Sequence, residues 1–241
     1  MTPLVDLVSG LTALPDGLPE LGSAILVTPR EPTSNSVVAL LLDARSGSPA
    51  LVVKLPRLAV AEAAIVREAA TLRTIQARRP SATVPSVLAL ESVADQMMLV
   101  ESALVGETIS PSELRRHPRR CADDVLRWLL DLPEPKLEPM RFDVLVELPL
   151  RRFAAALPPL APERALVEQT LEAVEVLRRA TGPTVVEHGD LSHPNLIRLP
   201  DGRVGVVDWE LAEVAGLPGT DLCFFLGYVA ATVRRARSPR R

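Results

Sequence analysis

The chain is poor in several residue types, and each shortage rules something out. Its two cysteines, Cys121 and Cys223, lie far apart with no metal or redox spacing. They make no disulfide framework and read as small thiols of a reducing cytoplasm. Aromatic residues are 3% of the chain and the net charge is −3, which gives no reason to expect a nucleic-acid partner. The basic cluster Arg115-Arg116-His117-Pro118-Arg119-Arg120 has no interleaved aromatics and reads as a solvated face. No apolar run approaches membrane-spanning length; Val37–Leu42 is six residues. The first residues carry Asp6, Asp16 and Glu20 and no basic segment, so neither a signal peptide nor a membrane partner is expected. With 47% hydrophobic and 24% charged residues, the composition is that of a globular protein.

Two further shortages point at particular positions. Among 27 Lys and Arg residues only Lys54 and Lys136 are lysine, and Asn35 and Asn195 are the only asparagines. Arg cannot replace Lys where a compact ammonium must sit among phosphates. Asn195 lies in the most informative stretch, residues 186–210, VEHGDLSHPNLIRLPDGRVGVVDWE. Two runs suited to strands, Leu196–Leu199 and Val204–Val207, flank Asp201-Gly202, a strong hairpin signal. A turn centred on Asp201-Gly202 pairs residues whose numbers sum to 403, which sets Asn195 opposite Asp208. Asp190 lies on the loop feeding that open end. Two carboxylates and an amide are oxygen donors suited to a hard cation such as Mg²⁺ together with phosphate.

Asp190-Leu191 followed by Asn195 fits the pattern D-L-x-x-x-N of kinase catalytic loops. H-G-D-L-S-H-P-N followed by V-D-W-E resembles the aminoglycoside phosphotransferase and choline kinase group of small-molecule kinases. The resemblance implies an α+β, two-lobed protein-kinase-like fold. Its N-lobe (1–102) would be a small antiparallel sheet with one helix, and its C-lobe (103–241) mainly helical with the catalytic loop and metal-binding hairpin. It implies that Asp190 receives the proton of an acceptor hydroxyl, and that Asn195 and Asp208 hold Mg²⁺. ATP is the implied phosphoryl donor, with GTP not excluded, and a small hydroxylated molecule the acceptor. Asp221 would reach back to the catalytic loop. No A-P-E segment follows Asp208, which argues against a protein substrate. His188 reads as a structural residue of the loop, and His193 as packing beside the metal site.

Upstream, Ala24–Thr28, Val37–Asp43 and Ala50–Leu55 read as strands, and Val60–Gln76 as a helix with Ile65, Ala69, Leu72 and Ile75 on its inner face. In the resemblance, Lys54 at the end of L-V-V-K contacts the nucleotide phosphates; the competing reading is an edge lysine. Glu68 is the candidate to pair with it and Glu62 the runner-up. The loop between the first two strands has no glycine. Ser34 and Asn35, with Thr33 and Ser36, offer donors to phosphate there, or form a plain polar turn. Val87–Glu91 and Met97–Glu101 read as further strands leading to a hinge. At that hinge the Glu101 C=O and Ala103 N–H would meet an adenine edge, with Met97, Met98 and Leu99 lining the slot. The rival reading of the whole chain is a non-catalytic nucleotide-binding or scaffold protein on the same fold, motivated by the missing glycines.

Overall fold

The computed structural model describes residues 3–27, 36–93, 96–139, 141–158 and 161–234. A short helix α1 (Pro3–Ser9) precedes three strands, β1 (Leu21–Val27), β2 (Ser36–Asp43) and β3 (Pro49–Pro56). Helix α2 (Glu62–Arg78) follows, and then β4 (Val87–Val93) and β5 (Gln96–Ser102). These strands form one antiparallel sheet in the order β1-β2-β3-β5-β4. Side chains alternate between its faces. Ala39, Leu41, Leu51, Val53, Met98 and Val100 point one way and bury Val5 and Val8 of α1. The other face takes α2, where Ile65 and Ala69 pack on Leu99. Lys54 shares Leu99's face because the two are direct partners across β3 and β5.

The second lobe begins with β6 (Glu107–Thr108), α3 (Pro111–Arg116) and α4 (Pro118–Leu130). Ser110 caps α3 by accepting from the Glu113 N–H at 3.1 Å, with Pro111 at the first helical position. Then come β7 (Lys136–Pro139), a single π-helical stretch (Asp143–Glu147), α5 (Leu148–Ala156), α6 (Pro162–Val174), β8 (Thr181–Glu187), β9 (Leu196–Arg198), β10 (Val204–Val206), β11 (Glu213–Gly216) and α7 (Thr220–Val233). This lobe is less purely helical than expected. Strands β10-β9-β6 and β11-β8-β7 make two three-stranded sheets. Lys136–Pro139 is an edge strand on β8.

The second core centres on Trp209, fully buried among Val125, Trp128, Leu191, Val206 and Phe225. Leu72 and Ile75 of α2 join the same cluster, so the helix of the first lobe is anchored in the core of the second. No helix among the described residues is long and apolar enough to cross a membrane.

Candidate active site

The hairpin that presents Asn195 and Asp208 is offset by one residue from the expected register. Val204 faces Arg198, Gly205 faces Ile197 and Val206 faces Leu196, so paired numbers sum to 402. The cause is the turn. The Leu199 N–H donates to the Arg203 carbonyl at 3.0 Å, which closes a three-residue loop, Pro200-Asp201-Gly202. Gly202 sits at φ +85°, the left-handed position that such loops require. Asn195 therefore opposes Val207, whose N–H donates to the Asn195 carbonyl at 3.0 Å. Asp208 lies one residue further on. It adopts φ 69°, the one non-glycine residue with positive φ among those described. Asp tolerates that conformation better than most residues.

The loop from His188 to Asn195 is held from three sides. Asp221, in the first turn of α7, accepts from the His188 N–H at 2.7 Å and the Gly189 N–H at 3.0 Å. Gly189 is at φ +82°, and a Cβ there would stand 2.6 Å from the Leu211 carbonyl oxygen, so glycine is required twice over. His188 is fully buried and lies edge-on to Trp209 at 4.8 Å between ring centroids. Its Nδ1 accepts from the Asp190 N–H at 3.2 Å, which leaves Nε2–H to donate to the Val207 carbonyl at 3.0 Å. Burial lowers the pKa of His188 and holds it neutral in that tautomer. Asn195 donates its amide to the Asp190 carbonyl at 2.9 Å and to Asp190 Oδ2 at 3.2 Å. Its Oδ1 is left as an acceptor. His193 stacks on Tyr228 of α7 and is hydrogen-bonded to its hydroxyl.

Lys54 meets this assembly from the sheet. Its ammonium is 2.5 Å from Glu68 Oε1 and 3.2 Å from Asp208 Oδ1. Of the two carboxylates considered as its partner, Glu68 is the one it touches, and Glu62 lies at the start of α2. Burial alone would discharge Lys54, but the nearby carboxyls Glu101, Glu68 and Asp208 outweigh it and raise its pKa, so it stays an ammonium. Glu68 Oε1 also accepts from the Trp209 N–H at 2.8 Å. Sequence reasoning missed this bond, which ties α2 to the backbone beside Asp208. No local signal announces a bond to a backbone amide 141 positions away.

Lys54, Glu101, Asn195 and Asp208 line one cavity of about 320 Å³ between the lobes. Its apolar walls are Val38, Leu40 and Val52 on one side and Ile197 and Val207 on the other. Met97, Met98 and Leu99 do not line it: Met98 faces the α1 side of the sheet, and Met97 and Leu99 pack on α2. The hinge is displaced as well. The Ala103 N–H donates to the Ala50 carbonyl at 3.0 Å. Hydrogen-bonded and non-bonded pairs alternate in an antiparallel ladder, so Glu101 and Val52, two positions on, exchange backbone bonds in turn. The main-chain groups of Glu101 and Ala103 offered to an adenine are thus spent within the sheet. Glu101 enters the cavity through its side chain. The next donor along, the Leu104 N–H, makes no hydrogen bond among the described residues. Burial pushes the Glu101 carboxyl up to about 8; Lys54 opposes the rise, and Glu68 and Asp208 add to it. Ser34 and Asn35 lie outside the described residues.

The donor set fits a magnesium ion. Asn195 keeps a carbonyl oxygen free and Asp208 keeps Oδ2, both hard oxygens. Among the described residues there is no group of three or more His, Cys, Asp or Glu that could form a complete cage. Mg²⁺ commonly takes one or two protein ligands and completes its shell with phosphate and water.

The class of protein follows from a lysine, an amide and carboxylates around a cavity between a five-stranded sheet and a helical lobe. The chain belongs to the phosphotransferase enzyme family, APH, whose model matches residues 26–240. Solved structures share the fold. An aminoglycoside 2'-phosphotransferase-IIIa in its GDP complex is 16% identical with a TM-score of 0.64, over 98% of this chain and 84% of that one. Aminoglycoside phosphotransferase APH(3'')-Id from Streptomyces rimosus is 24% identical with a TM-score of 0.55, over 96% and 85%. A choline/ethanolamine kinase family protein from Mesorhizobium loti is 16% identical with a TM-score of 0.53, over 97% and 76%. No curated protein matches the sequence.

Proposed function

We propose that the protein is a small-molecule kinase that transfers the γ-phosphoryl group of ATP to a hydroxyl of its acceptor. The observation that carries this reading is the convergence of Lys54, Asn195 and Asp208 on one cavity, with Asp190 hydrogen-bonded to Asn195. Phosphoryl transfer asks a protein mainly for positioning and charge stabilisation. Lys54, held by Glu68, neutralises phosphate charge. Asn195 Oδ1 and Asp208 Oδ2 would hold Mg²⁺, which screens the charge of the transferring group. Asp190 orients the acceptor hydroxyl and takes its proton. The Asn195 amide and the His188 ring fix Asp190 from either side, and Asp221 fixes the loop beneath it. The family, and the fold shared with an aminoglycoside phosphotransferase and a choline/ethanolamine kinase family protein, support a small hydroxylated acceptor.

The test is Asp190→Asn, assayed for ATP turnover against a panel of amino-sugar and amino-alcohol acceptors. The variant keeps shape but cannot take a proton. Turnover should fall about 10²–10⁴-fold with ATP·Mg²⁺ affinity nearly unchanged. A variant with full turnover on a confirmed acceptor would remove Asp190 from the reaction. ATP should also raise the melting temperature more with Mg²⁺ than with EDTA. The gain at a hundredfold excess over Kd is about 2.7 kcal/mol.

A further inference from the structure

We propose that Arg67 is a positioning residue for Asp208: by holding the main chain just beyond that residue, it sets how firmly the carboxylate binds the metal of a bound nucleotide. This role rests on the reading above that the cavity takes a magnesium nucleotide. It falls to a side chain that does not line the cavity and has no part in that reading. Arg67 lies on the exposed side of α2, next to buried Glu68. Its Nη2 and Nε both donate to the Glu210 carbonyl, at 2.8 and 3.3 Å.

Asp208 needs such holds. Its φ of 69° is a conformation that persists only where the surroundings impose it. Among the described residues its own N–H and C=O make no hydrogen bond, so its neighbours fix it. His188 binds the Val207 carbonyl before it, and Glu68 the Trp209 N–H after it. The Ala212 N–H then closes a turn onto the Trp209 carbonyl at 3.1 Å. Arg67 takes the Glu210 carbonyl within that turn. On its other side the turn meets the loop of Asp190. A Cβ on Gly189 would stand 2.6 Å from the Leu211 carbonyl oxygen. Residues 209–212 are thus seated between α2 and Gly189. Releasing Glu210 loosens that seat and lets Asp208 leave its left-handed conformation, which carries Oδ2 off its place. The charge of Arg67 works the other way. A cation nearby repels a metal ion, so loss of charge alone would tighten metal binding, whereas loss of the hydrogen bonds weakens it. The two roles differ in sign.

Titration calorimetry with ATP, in Mg²⁺ and in EDTA, tests this on the wild type, Arg67→Met and Arg67→Lys. The ratio of the two affinities measures what the metal adds. Met keeps most of the stem and has no donor, and Lys keeps the charge and a donor. The site is exposed, so neither variant opens a buried gap. Arg67→Met should reduce the wild-type ratio about threefold to tenfold, the range of one hydrogen bond, with affinity for ATP in EDTA within about twofold. Arg67→Lys should lie nearer the wild type than Arg67→Met. An unchanged or larger ratio in Arg67→Met, or equal losses in the two variants, overturns the proposal and leaves the kinase reading standing. A wild type that gains no affinity from Mg²⁺ overturns both.

Discussion

Two buried carboxyls face the same lysine, and they are handled in opposite ways. Glu68 is matched on one oxygen by the Lys54 ammonium at 2.5 Å and the Trp209 N–H at 2.8 Å. Glu101, across the β3–β5 pair, has neither, and burial pushes its pKa up to about 8. One ammonium cannot compensate Glu68, Asp208 and Glu101 together, so the carboxyl with the poorest contacts keeps its proton. One carboxyl beside Lys54 is thus bound on one oxygen, and the other has an Oε1 with no hydrogen-bond partner among the described residues. Distance to the cation and the supply of backbone N–H groups separate the two, more than depth of burial, since each is 1% exposed.

Removing the shared lysine should disturb that contrast most. Lys54→Met leaves Glu68 as an uncompensated buried charge and should cost about 3–5 kcal/mol, read as a loss in denaturant or thermal unfolding. Turnover should collapse with it, and Lys54→Arg should not restore turnover, since a planar fork does not replace a compact ammonium. Glu68→Gln comes next. It keeps an acceptor for the Trp209 N–H but weakens a charged bond, at about 1–3 kcal/mol. Glu62→Gln, on the first turn of the same helix, should stay within about 0.5 kcal/mol. If the Glu62 change is the more damaging of the two, Glu68 is not the locking residue.

The most finely resolved signal is a slope. The unfolded chain releases the Glu101 proton above its ordinary value of 4.5, and the folded chain keeps it until about 8. Stability contributed by this group is fully present below 4.5 and is lost as pH rises towards 8. Wild type should therefore lose about 1.4 kcal/mol per pH unit across that window relative to Glu101→Gln. Parallel stability curves for the two proteins would show that Glu101 is ionised in the native state. His188 supplies a control of opposite sign. Its lowered pKa makes it lose stability as pH falls below its ordinary 6.5.

Much of this site is legible in the residues themselves, because chemistry dictates both type and spacing. Asp190, Asn195 and Asp208 fall in a loop and hairpin whose turn is written as Asp-Gly. The register is not written so plainly. Asp201-Gly202 serves a two-residue turn or the end of a three-residue one, and Pro200 inside the loop tips it to the second. Glu101 is misread for a related reason. Which face of β5 it occupies depends on pairing with Val52, and no local pattern of M-M-L-V-E-S reveals that. Strands β7 and β8 escape notice because they carry Pro139, Gly182 and Pro183 and are made by long-range pairing, against local propensity.

Asp208 narrows the alternatives open to this sequence. A position that holds φ 69°, and whose carboxylate is proposed to hold a metal, is constrained twice, in backbone and in that chemistry. Single changes that spare the backbone lead to asparagine or glycine; a β-branched residue would clash in a left-handed turn. On the proposed function, drift at 208 that escapes purifying loss of the fold passes through well-folded chains with a weakened metal hold. A descendant that abandons catalysis would be recognised by Asn or Gly at this position while the rest of the hairpin stays intact.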